Sequence, residues 1–116
     1  MVDNKGIATA KAEKQFRSCI IEAVDYGLSV LGEGGKYAFY HHLLKLYGVK
    51  YEEIPDNLDQ FHKGIVDVFR GGSPIIEQRI SKRIFEKMGL DLGTALGEHD
   101  TWSLSDYIEY ARKAQS

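Results

Sequence analysis

The chain has 116 residues, 43% of them hydrophobic and 28% charged, with a formal net charge of −2. That length and balance fit one globular domain with a core that needs no metal or disulfide staple, and the mild acidity excludes a general nucleic-acid coat. Cys19 is the sole cysteine, no apolar run is long enough to span a bilayer, and residues 1–14 lack a signal-peptide core, so no secretion signal is expected and a cytoplasmic location is the simpler one.

Residues 1–8 read as a flexible N-terminus, 9–92 as a helical domain, and 93–116 as a loop and C-terminal helix packing on the domain or on a partner. The first helix is expected over 9–31, where Phe16, Ile20, Ala23, Val24, Gly27, Leu28 and Leu31 recur at spacings of three and four. Glu13, Lys14, Arg17, Glu22 and Asp25 take the other side, Cys19 reads as a buried inert thiol, and Gly32 ends the helix. Gly27 lies inside the stripe at a cost of about 1 kcal/mol against alanine, which makes sense where another helix crosses closely or the helix bends.

Glu33-Gly34-Gly35 reads as a turn or loose first helical turn before a second helix over 35–47. Its segment Tyr37–Tyr47 is apolar or aromatic nearly all round, the pattern of a central helix or of a subunit interface, and Gly48 closes it. A connector through Pro55 leads to a third helix over 57–70, with Asn57 and Gln60 as a capping box and Gly71-Gly72 as the stop. Leu58, Phe61, Ile65, Val68 and Phe69 form its apolar stripe.

Ser73-Pro74 reads as a capping serine and first-turn proline for a fourth helix over 74–88, with Ile76, Ile80, Ile84 and Met88 every four residues and Gly89 at its end. After a weakly periodic stretch, Ser103 or Ser105 caps a last helix over 103–114 that buries Trp102, Leu104, Tyr107 and Ile108. The predicted fold class is all-α: a compact single-domain bundle of about five helices with the aromatic second helix at its centre.

Residues 16–92 carry a spaced pattern: Leu31-Gly32-Glu33, Tyr37 to Leu43, Tyr47-Gly48-Val49, Glu53-Ile54-Pro55, Phe61, Val68-Phe69, Gly71, Ile76-Glu77, Ile84-Phe85 and Met88-Gly89-Leu90. This pattern resembles the Nitrosopumilus output domain 5 family, small archaeal helical domains of unknown biochemical function found alone or attached to signalling modules. The resemblance implies an archaeal, cytoplasmic signal-output role. Its motifs are helix-end glycines and apolar positions, so it brings no catalytic residue with it.

Chemistry-bearing constellations are sparse. His41 and His42 point about 100° apart on a helix and have no ligand-type residue three or four positions away, so the pair reads as one half-buried, hydrogen-bonded histidine and one exposed. No cofactor, metal ligand or catalytic residue is expected, and the chain reads as non-enzymatic. Tyr37, Tyr40, Tyr47, Trp102, Tyr107 and Tyr110 exceed what one small core readily buries, which makes them the candidate interface of a homodimer or of a complex with another protein. The competing reading is a DNA-binding regulator in which Arg79, Lys82, Arg83 and Lys87 form a basic helix face with Arg70 just upstream. A third is a small-molecule sensor with a pocket lined by Phe39, Tyr40, Phe61 and His42.

Overall fold

The computed structural model describes residues 2–91 and 103–115, and these are helical almost throughout, with no strand among them. The elements in chain order are α1 (Val2–Leu28), a 3₁₀ turn (Ser29–Leu31), α2 (Gly32–Tyr47), a 3₁₀ segment (Tyr51–Asp56), α3 (Leu58–Phe69), a 3₁₀ turn (Arg70–Gly72), α4 (Ser73–Met88) and α5 (Leu104–Gln115). α1 begins well before residue 9, because Ala8, Ala10 and Ala12 favour extending a helix once it is nucleated. α2 likewise takes in Glu33, Gly34 and Gly35 as a true first turn.

The core is one cluster. Phe16, Ile20, Ala23, Val24 and Leu28 of α1 meet Ile76, Ile80, Ile84 and Phe85 of α4, with Phe39, Leu43, Phe61, Ile65, Leu104 and Ile108 closing the sides. The central helix is α4, not α2, which corrects the sequence reading. α4 packs against α1, α3 and α5 and buries seven side chains, whereas α2 buries only Lys36, Phe39 and Leu43. An all-round apolar sequence permits central burial without requiring it, since apolar atoms also make up much of any protein surface. α4 meets burial on three sides with small or self-satisfied groups: Ser81, fully buried, returns its hydroxyl to the Glu77 carbonyl at 2.9 Å.

The α1–α4 crossing depends on Gly27. A Cβ there would overlap Cγ1 of the fully buried Ile80, so the two backbones approach at a distance that only a bare α-carbon allows. Helix ends follow several rules. Gly48 and Gly89 both adopt left-handed values, and at α4 the Gly89 and Leu90 amides bond back to Glu86 and Phe85 at 3.2 and 2.8 Å, a Schellman ending. Ser103 caps α5, exchanging bonds with Asp106 three residues on.

Two expected caps are not made. Asn57 turns its side-chain amide back to the Glu53 carbonyl at 2.8 Å, and that side chain makes no bond to the first turn of α3. Ser73 is buried in the first turn of α4 rather than preceding it, so Gly72 takes the cap position while Pro74 does lie in the first turn. The third helix also ends differently: the positive φ, 51°, falls on Arg70, and neither Gly71 nor Gly72 carries one. Phe69 and Gly72 hold right-handed values on either side, which concentrates the reversal on one residue.

Gly27→Ala should lower unfolding free energy by about 1–2 kcal/mol, because overpacking against Ile80 exceeds the gain in helix propensity. Gly34→Ala, whose Cβ would meet nothing within 4 Å, should raise it by about 0.5–1 kcal/mol. Urea denaturation of the two variants beside the parent checks both signs.

Candidate functional site

The polar side of α1 is engaged by nearly every other element. Glu13 pairs with Arg112 of α5, and Arg17 pairs with Asp56 of the second 3₁₀ segment. Glu22 lies 2.7 Å from Lys87 of α4, and Asp25 lies 3.0 Å from Lys36 of α2. Lys36 keeps only 11% of its side chain exposed, and the hydrogen bond to Asp25 raises its affinity for the proton.

Most candidate interface tyrosines have internal uses. The Tyr40 hydroxyl donates to Asp25 at 3.1 Å while its ring meets Tyr51 edge-on at 4.8 Å; burial and the nearby carboxylate push its phenol well above the ordinary range. Tyr47 donates to Asp67 of α3 at 2.5 Å. Tyr107 is buried against Phe85, and Tyr110 stacks on the same ring at 5.7 Å. Trp102 lies outside the described residues, as does the loop expected just before it. Of the six candidates, Tyr37 alone among those described stands mostly free, at 63% exposure.

The histidines separate. His42 is half-buried and lies 3.1 Å from Asp67, while His41 is exposed. His62 lies 2.6 Å from Glu77, a carboxylate of which only 8% is exposed. These are two distinct pairs, and among the described residues no three His, Cys, Asp or Glu side chains gather as a metal shell requires. Phe39 and Phe61, imagined as walls of a pocket, instead meet edge-to-face at 5.8 Å inside the core.

Asp67 and Asp25 are the junctions that the sequence reading missed. Asp67 interrupts the apolar run Ile65–Phe69, and an isolated acid there is the one signal that marked it. Asp25 was visible only as a solvated position on the polar side of α1.

The basic face of α4 is largely consumed inside the molecule. The Arg79 and Arg83 guanidiniums lie 4.3 and 4.8 Å from the centre of the Tyr26 ring, and the Nε of each is buried without a hydrogen-bond partner among the described residues. Arg83 and Lys87 both reach Glu22, at 3.7 and 2.7 Å. Of the proposed phosphate contacts, Arg70, Lys82 and Lys87 stay exposed, Lys87 while paired with Glu22, and Arg79 and Arg83 are half-buried.

Large apolar residues stand exposed on several helices, among them Ile75 of α4 and Val66 and Val68 of α3, and α2 carries a regular stripe of them. Tyr37, His41 and Leu44 share its solvent side at spacings of four and three, and Gly48 continues the series. Tyr37 and Leu44 are exposed at 63 and 46%, and Val30, exposed at 55%, lies in the 3₁₀ turn before Gly32. Glu33 lies at one end and Lys45 near the other. Among the described residues, no helix is long and apolar enough to cross a membrane. No protein-family model, curated protein or solved structure matches the chain.

The Asp67 junction has a pH signature. Hydrogen bonds from Tyr47 and then His42 hold its carboxyl below its ordinary value of 3.8, so the folded state favours the charged form. That contribution is complete above the ordinary value and is lost as pH falls through the depressed one. Asp67→Asn should therefore destabilise the protein at pH 6 by more than at pH 3, and denaturation curves at both pH values check the closing gap.

Proposed function

We propose that this chain is a non-enzymatic interaction module of the signal-output kind, and that it pairs with a second copy of itself through the outer face of α2. The observation that carries the reading is the exposed 4-3-4 spacing of Tyr37, His41, Leu44 and Gly48, the period with which helices seat side chains into one another. Tyr37 and Leu44 lie about 10 Å apart along the helix, two turns, so an antiparallel pairing sets the tyrosine of each copy against the leucine of the other. The same pairing brings Glu33 of each copy toward Lys45 of the other and opposes the two helix dipoles, so the face is self-complementary in charge. Gly48, without a side chain, leaves room for close approach at the ends.

The archaeal setting, the cytoplasmic location and the role in signalling are part of this proposal and rest on the resemblance to the output domains. In this reading Tyr37 makes the outward contact, while Tyr40, Tyr47 and Tyr107, also candidates for the interface, hold α2 and α5 in place.

Sedimentation velocity over a roughly hundredfold concentration range tests the pairing. The parent should move from monomer to dimer as concentration rises. Tyr37→Glu combined with Leu44→Glu should remain monomeric at every concentration with an unchanged far-ultraviolet circular dichroism spectrum. A parent that stays monomeric throughout, or a double variant that still dimerises, overturns the reading.

A further inference from the structure

A second feature lies away from the outer face of α2. Where α1 runs beside the C-terminal end of α4, a groove of about 430 Å³ is lined by Lys11, Lys14, Cys19, Glu22 and Lys87, among others. A neighbouring hollow of about 400 Å³ shares Gln15, Cys19 and Lys87 with it and reaches Phe16 and Met88. Volumes of this size are in the range that holds small organic ligands.

The lining divides by chemistry. Lys11, Lys14 and Lys87 set three ammonium groups against the single carboxylate of Glu22, leaving two net positive charges in a chain whose overall charge is −2. Glu22 is already engaged: it accepts from Lys87 at 2.7 Å, and that bond holds its carboxyl below the ordinary range. Lys11 and Lys14 make no ion pair among the described residues, and both line the groove. The wall of the hollow is apolar in part, from Phe16, Cys19 and Met88, and polar in part, from Gln15 and Lys87. The Cys19 thiol is raised by burial, which keeps it protonated and makes it part of the apolar wall.

We infer that this groove binds a small amphiphilic anion, a medium-chain carboxylate, with its head on Lys11 and Lys14 and its aliphatic tail along Cys19, Phe16 and Met88. Charge selects the head, since a cationic head would meet the ammoniums of Lys11 and Lys14. The apolar inner wall selects the tail, since acetate would leave it empty. The site is independent of self-association, which uses a different helix face.

The test uses sodium octanoate and sodium decanoate below their micelle concentrations, read by ¹H–¹⁵N shift changes and by the rate at which iodoacetamide alkylates Cys19. Binding should tighten about fourfold for each added methylene until the hollow is full, as burial of a CH₂ group dictates. Decanoate should slow alkylation of Cys19 and perturb Lys14, Cys19 and Met88 together. Lys14→Glu, a change at an exposed side chain, should weaken decanoate roughly tenfold while leaving the circular dichroism spectrum unchanged. Decyltrimethylammonium should not bind the parent protein. The inference is overturned by an absence of decanoate binding, by affinity that ignores chain length or Lys14→Glu, or by binding only to vesicles of anionic phospholipid. The last result would mean that the lysines read a membrane surface, with no tail entering the groove.

Discussion

The packing turns on the absence of a side chain at Gly27. With bare backbone there, Ile80 of α4 seats directly on α1, and the two helices share the largest part of the core. That approach sets which residues meet along both helices. It brings Tyr26 beneath Arg79 and Arg83, and Glu22 beside Lys87, so charges that look solvated in sequence become a polar seam flanking the apolar one. A ring face accepts the guanidiniums where hydrogen-bond acceptors are missing, which reconciles two buried Nε atoms with a stable interface. The same contact leaves Lys87 and Met88 beside α1, and this defines the groove on which Cys19 opens.

How much of this was legible depended on whether a feature is local. The stripe from Phe16 to Leu28 and the isoleucine series of α4 are helical by spacing alone, and left-handed Gly48 and Gly89 follow from chain chirality. Gly27 announced either a close crossing or a bend, because a glycine within an apolar stripe costs stability unless something uses it, and the contact with Ile80 is the crossing. Relations between distant positions were silent: Arg17 meets Asp56 across 39 residues, and Arg112 meets Glu13 across 99. Nothing in a charge pattern along one helix says which partner arrives.

The central helix was misread for a related reason. Aromatic residues dominate α2, yet tyrosine is amphipathic, and its hydroxyl lets it anchor an edge as well as fill an interior. Tyr40 and Tyr47 do this, each delivering its hydroxyl to a carboxylate on a neighbouring helix. Asn57 and Ser73 show the same limit at smaller scale. Their side chains suit capping, but the 3₁₀ segments before them present other geometry, and the expected bonds are not formed.

α2 is therefore held from one side. Phe39 and Leu43 supply its apolar contact with α3 at the small residue Gly64, while Lys36, Tyr40 and Tyr47 fasten its edges through Asp25 and Asp67. These anchors account for the side of α2 that faces α1 and α3, though not for Leu46, which is also exposed. They give no reason for Tyr37 and Leu44 on the outer half, where lysine or glutamate would serve the fold as well and keep the surface wetter. Single exposed apolar residues are ordinary on any protein. A pair two turns apart, ending at a glycine, has the spacing of a helix that meets another, and the internal packing of this domain leaves that spacing unused.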